Sequence, residues 1–236
     1  MKKILVILSL TLFAMVTFAQ QTDLTSINQI LQRKHYDMMS ERDLLEEDIE
    51  GSPYLTEPYI PSRVFIKDQK ETIAAKLRFN AYSEEFEFTQ GGHRFVISNM
   101  EQIDSIEYQN QDFIYTTYTN ESGRSREGFL ARLQNGSCPL YKIYSIEFYK
   151  AEPPKSGYDK FKPARFESKT SKYCIRLKDD PHPKIIKSFR RNKFVEYFGS
   201  RKKELKQYVK YENLRLWREE DLMQFITHYN THYGKK

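Results

Sequence analysis

The constraint that most limits this chain is an alternation of period two running from about Arg63 to Tyr149. Ile73, Ala75, Leu77 and Phe79 alternate with Ala74, Lys76, Arg78 and Asn80, and Tyr82, Phe86 and Phe88 alternate with Ser83, Glu85 and Glu87. Successive side chains of a strand point to opposite faces, so such a pattern gives a sheet with one apolar and one polar face. Further strands are predicted at Val64–Lys67, Arg94–Ser98, Ser105–Tyr108, Phe113–Tyr118, Gly128–Leu133 and Leu140–Tyr149. Turn formers divide them at Gln90-Gly91-Gly92, Gln109-Asn110-Gln111, Asn120 to Gly123 and Asn135-Gly136-Ser137. Short strands at this spacing predict an antiparallel meander over 51–150, built as a curled sheet, a sandwich or a small barrel. A membrane-spanning barrel needs a lipid-facing apolar row on every strand, whereas the cleanest alternation here carries a charged face.

The period lengthens on either side. Leu24, Ile27, Ile30 and Leu31, then Leu44, Leu45 and Ile49, predict a helical or partly disordered segment over 20–50, ended by Gly51-Ser52-Pro53. Glu152-Pro153-Pro154 closes the meander, and 151–163 reads as a connector. Residues 164–236 are predicted to form a β-hairpin, Tyr173–Lys178 with Lys184–Ser188, and two or three helices. Phe194, Val195 and Phe198 make a short stripe ended by Gly199, and Ser200 is placed to cap the helix of Leu205, Tyr208 and Val209. Glu219-Glu220-Asp221 opens the last helix, Leu222, Phe225, Ile226, Tyr229 and Tyr233 share one face, and Gly234 stops it. The expected fold class is therefore α+β.

The first residues address the chain rather than fold it. Met1-Lys2-Lys3 precedes an apolar run from Ile4 to Phe18, and Ala19 offers a small residue before Gln20. That order predicts a cleaved signal peptide over 1–19, a secreted or periplasmic protein of 217 residues, and no transmembrane span after cleavage. A mean hydropathy of −0.73 excludes a polytopic membrane protein. Aromatics at 14% exclude wholesale disorder.

Several short motifs resemble a family of uncharacterised secreted proteins common in Bacteroidetes. They are Gly51-Ser52-Pro53-Tyr54-Leu55, Lys67-Asp68, Leu77-Arg78-Phe79-Asn80-Ala81-Tyr82, Glu85-Phe86-Glu87-Phe88, Gly128-Phe129-Leu130, and Glu219 to Asn230. Asp68-Gln69 stands where that family often has Asp-Gly. The resemblance implies an exported β-rich protein and carries no activity with it.

Export bears on the two cysteines. An oxidising compartment permits Cys138 and Cys174 to pair, in a bond worth about 4 kcal/mol by chain entropy; the alternative is two buried free thiols. His228 and His232 lie four apart on the last helix, a spacing that puts two imidazoles on one face for a metal. A third ligand would have to come from elsewhere, and the alternative is two partly exposed polar residues. There is no nucleophile elbow and no glycine-rich phosphate loop, and no cofactor is indicated. A metal-assisted or carboxylate-based hydrolase of the envelope is an alternative function, and a structural accessory subunit is another.

Charge is segregated along the chain. Residues 20–150 hold 14 Lys+Arg against 21 Asp+Glu, a balance of −7, and 151–236 hold 22 against 11, a balance of +11. The cations are densest at Lys184, Lys187, Arg190, Arg191, Lys193, Arg201, Lys202, Lys203, Lys206 and Lys210. Such a patch suits anionic lipid headgroups, acidic polysaccharide or a protein partner, while export argues against nucleic acid. Alternatively the cations are simply solvated, or the basic tail docks on the acidic sheet. The leading expectation is an exported envelope or extracellular binding protein without catalytic activity.

Overall fold

The computed structural model describes residues 34–35, 49–69, 72–156 and 158–234. The predicted signal segment and most of 20–50 lie outside the described residues. The two pieces of 20–50 that are described form strands rather than helix: β1, Lys34–His35, and β2, Ile49–Glu50. Each pairs with a strand far along the chain, so sheet partners override the helical spacing there.

The alternating region forms β3 (Ile60–Ile66), β4 (Thr72–Asn80), β5 (Glu85–Gln90), β6 (His93–Val96), β7 (Ile103–Tyr108), β8 (Gln111–Thr119) and β9 (Ser125–Gln134). β10 (Leu140–Ile143) and β11 (Ile146–Tyr149) follow. The predicted strand over Leu140–Tyr149 is thus cut in two at Tyr144-Ser145, and its halves join different sheets. The main sheet runs β6-β5-β4-β3-β7-β8, antiparallel throughout, and β9 and β10 extend it. Tyr82 lies in the turn before β5, not in a strand. Gln109 and Asn110 join β7 to β8 with both φ positive, at 53° and 60°, as a two-residue primed turn demands. Asp68 likewise carries φ 59° in the β3–β4 turn, a left-handed conformation reached without a glycine.

Three further strands complete the β part. β12 (Ala164–Ser168), which the sequence did not announce, pairs antiparallel with β11 and parallel with β2 in a small second sheet. β13 (Lys172–Ile175) and β14 (Lys184–Ile185) form the predicted hairpin, shorter than expected, with Cys174 opposite Ile185. β14 then meets β8 through the Lys184–Thr119 pair, reinforced by Thr119 N–H donating to Pro183 O at 2.8 Å. Because β8 also pairs with β9, the strands β8-β14-β13-β10-β9 close into a five-stranded ring. A curled sheet and a small barrel therefore share β8, β9 and β10.

Three apolar clusters fill this frame. The curled sheet wraps Val64, Leu77, Phe79, Phe86, Ile106, Tyr108, Phe113 and Phe129. Phe79 meets Phe86 tilted at 4.8 Å and Phe86 meets Phe129 edge-on at 4.9 Å, arrangements their quadrupoles favour. The fully buried Tyr108 hydroxyl shares a hydrogen bond with Thr56 Oγ1 at 2.6 Å. The ring interior holds Tyr118, Leu130, Tyr141, Ile143, Cys174 and Ile185, so it is packed rather than hollow. The third cluster lies outside the ring, between it and the helices.

Candidate functional site

Those helices are α1 (Arg191–Phe194), continued by a 3-10 segment Val195–Arg201, then α2 (Lys202–Tyr211) and α3 (Glu219–Tyr233). Phe194, Val195, Phe198, Leu205, Val209, Leu222, Phe225 and Ile226 all turn inward. They pack on Leu140, Tyr173, Ile175 and Ile186, the outward face of the ring. Gly199, at φ 55°, breaks the 3-10 segment as its position predicts. Ser200 does not cap α2, which starts after Arg201 without a side-chain cap.

Polar contacts fix α3 at both ends. Glu219 accepts from Lys142 Nζ and from the Tyr173 hydroxyl, each at 2.7 Å. Burial raises the Glu219 pKa, but these two donors outweigh it and hold the carboxyl below its ordinary range. At the far end Asn230 plugs the β9–β10 loop. Its Oδ1 accepts from Cys138 N at 2.8 Å and Ser137 Oγ at 3.0 Å, and its Nδ2 donates to Asn135 O and Cys138 O, each at 3.2 Å. A Cβ on Gly136 would come within 2.5 Å of Asn230 Nδ2, and one on Gly234 within 2.4 Å of Asn230 O. Gly234 keeps a helical φ of −78°, so it serves this close approach and not a left-handed helix stop.

The basic tail is thus docked, but by apolar burial and by its acids, leaving its cations outward. Glu196 pairs with Lys202 at 3.2 Å, and Glu204 takes Arg201 at 3.4 Å and the Tyr233 hydroxyl at 2.8 Å. Glu212 accepts from Gln224, and Asp221 from Arg215 N, while Glu220 stays exposed. Of the ten predicted cations, Lys184 pairs with Asp180 inside the hairpin, and Arg201 and Lys202 are held as described. Lys187, Arg190, Arg191, Lys193, Lys203, Lys206 and Lys210 are exposed and have no ion pair among the described residues. At 100° per residue, Lys203, Lys206 and Lys210 fall within about 60° of arc, on a side of the helix roughly 110° round from Leu205 and Val209.

His228 and His232 do lie together, with ring centroids 4.2 Å apart. His228 stacks flat on Tyr208 at 3.6 Å, and His232 Nδ1 meets the His228 carbonyl at 2.9 Å. Burial, then the neighbouring His232, lowers the His228 pKa. Among the described residues no group of three or more His, Cys, Asp or Glu is placed to hold a metal ion. No helix among them is long and apolar enough to cross a membrane.

Of the two readings of the cysteines, the structure shows the second: Cys138 and Cys174 are free and fully buried. The ladder of β10 and β13 explains why. Leu140 faces Ile175 and Tyr141 faces Cys174, so Cys138 stands three rungs from Cys174, about 10 Å along the strands. The faces differ as well, since Cys138 joins the helix-side cluster and Cys174 the ring interior. A disulfide needs Cα atoms within about 7 Å and converging Cβ atoms. Burial pushes each thiol up to about 12.

Sequence reasoning missed a second polar assembly, on the outer face of the curled sheet. Glu87, only 2% exposed, accepts from Arg78 at 2.9 Å and Asn80 at 3.3 Å, with Arg94 at 3.9 Å. The Arg78 guanidinium lies 3.5 Å from the Tyr54 ring centroid and 4.4 Å from that of Tyr59. Burial foremost, with Glu87 next, pushes Tyr54 up to about 12. A signal was present in the short motifs Tyr54-Leu55, Arg78-Phe79-Asn80 and Phe86-Glu87-Phe88, where all four residues stand. With the carboxylate enclosed and the guanidinium stacked on two rings, these groups tie the 51–59 segment to the sheet.

The fold and these sites define an α+β protein with a curled sheet, a packed five-stranded ring and an outward-facing basic helical layer. Compared with models of known families, with curated proteins and with solved structures, the chain shows no match.

Proposed function

We propose that the protein is an exported, non-catalytic binding protein of the envelope or extracellular space, and that it engages polyanionic material through the exposed face of α1 and α2. One observation carries this reading. The helical layer engages its carboxylates other than Glu220 in contacts of its own and leaves Lys187, Arg190, Arg191, Lys193, Lys203, Lys206 and Lys210 outward without ion pairs among the described residues. Unneutralised cations on a rigid surface attract anions in a salt-dependent way. The binding test is retention on a sulfated-polysaccharide matrix eluted with rising NaCl. Wild type should be retained at low salt, and the triple variant Lys203→Gln, Lys206→Gln, Lys210→Gln should elute clearly earlier. No retention of the wild type, or equal elution of the two, would refute the reading.

A further inference from the structure

The β9–β10 loop that Asn230 plugs begins with Asn135-Gly136, the one Asn-Gly pair of the chain. Such a pair is open to ring closure, because no side chain on the second residue keeps its backbone nitrogen from the Asn carboxamide. Both reacting groups are unengaged here. Asn135 is exposed, and its carboxamide makes no hydrogen bond among the described residues. Gly136 is exposed as well, and its N–H donates to nothing among them. The glycine cannot give way to a protective side chain. It carries φ 133°, which other residues rarely adopt, and a Cβ there would come within 2.5 Å of Asn230 Nδ2. The packing that seats α3 therefore holds the labile pair in place.

We infer that Asn135-Gly136 is a site of spontaneous deamidation, and that its isoaspartyl product loosens the seat of α3. Hydroxide takes the proton from Gly136 N, and that nitrogen attacks Asn135 Cγ. The new bond closes a five-membered succinimide, the bond to the carboxamide nitrogen breaks, and ammonia leaves with a proton from water. Water then opens the ring. Addition at Cγ gives an aspartyl residue, and addition at the main-chain carbonyl gives an isoaspartyl residue whose backbone runs through Cβ and Cγ. The second product matters to the fold. It lengthens the loop by one methylene and turns the carbonyl that accepts from Asn230 Nδ2 into a free carboxylate. The loop has little slack, since the Gln134–Leu140 pair fixes its base and four hydrogen bonds converge on the Asn230 amide. Gln134 Nε2 also donates to Thr227 Oγ1 at 2.5 Å, so a shift of the loop is felt along α3.

The experiment ages the protein in mildly alkaline heavy-oxygen water, folded in one arm and unfolded by guanidinium in the other. Digestion with trypsin in ordinary water leaves conversion during work-up unlabelled and isolates Leu133–Lys142, in which Asn135 is the sole Asn. In the folded arm this peptide should gain the heavy label ahead of every other Asn-containing peptide, and faster as pH rises. An isoaspartyl methyltransferase should report the isoaspartyl product. Separated by ion exchange, that form should melt about 2–8 °C below fresh protein, as losing one or two hydrogen bonds demands. Asn135→Gln, which would have to close a larger ring, should stop the labelling. Freshly purified Asn135→Asp adds the charge without lengthening the backbone, and should keep the wild-type Tm to within about 2 °C. Labelling of Leu133–Lys142 in the unfolded arm alone would overturn the site. An isoaspartyl form that melts with fresh protein would overturn its effect on α3.

Discussion

Replacing Asn230 by Asp tests whether one amide couples the last helix to the ring. The carboxylate keeps both acceptor roles toward Cys138 N and Ser137 Oγ but cannot donate to the carbonyls of Asn135 and Cys138. Two neutral hydrogen bonds are lost, at about 1 kcal/mol each. A charged oxygen then faces two carbonyl oxygens that had stood 3.2 Å from the amide nitrogen. The expected loss is about 2–4 kcal/mol, or roughly 5–15 °C in Tm for a chain of this size. Urea and thermal melts followed by circular dichroism would measure it, and hydrogen exchange should show the Cys138 amide losing protection. The penalty belongs to the ionised form and so raises the folded pKa of the carboxyl; the gap from wild type should therefore narrow as pH falls toward about 4, as protonation restores one donor. A loss under about 0.5 kcal/mol, well below one hydrogen bond, would refute the coupling. A gap that did not change with pH would refute its electrostatic part.

The remaining predictions concern the other buried polar groups. Glu87→Ala should cost about 3–5 kcal/mol, because Arg78 would keep its charge on a covered face with no carboxylate; a urea melt near wild type would count against that. Glu219 has a lowered folded pKa, so its contribution is present above the ordinary glutamate range and is lost as pH falls through the folded value. Glu219→Gln should therefore remove stability at neutral pH, about 1–2 kcal/mol, and flatten the acid limb of the stability profile. His228 is also lowered, so charging it opposes folding. Stability should decline as pH drops below about 6.5 toward the folded value, and His228→Phe should abolish that decline. Cys138 and Cys174 should stay unreactive to a thiol reagent until the protein is denatured, with the same Tm in reducing and non-reducing buffer.

The alternation of Ile73 to Phe79, the hairpin around Asp179 to Pro183 and the stripe from Leu222 to Tyr233 could be read directly, because each is a local period meeting one apolar surface. The cations of α2 were legible for the same reason, since spacing alone gathers Lys203, Lys206 and Lys210 on an arc apart from Leu205 and Val209. What could not be read locally depends on partners distant in sequence. Ring closure rests on Lys184 meeting Thr119, and β2 and β12 form only because they find each other. The cysteines show the difference most plainly: their number and spacing allow a bond, but a three-rung offset and opposite faces forbid it. Arg78 and Glu87 sit on the face that alternation marks as solvent, and only the 51–59 segment folding over them makes it an interior. The exposure of Trp217 was likewise decided in three dimensions, when Leu216 took the buried place and left the indole outside. Local sequence determines which residues share a face. Tertiary pairing decides what that face meets, because register and cover come from segments dozens of residues away.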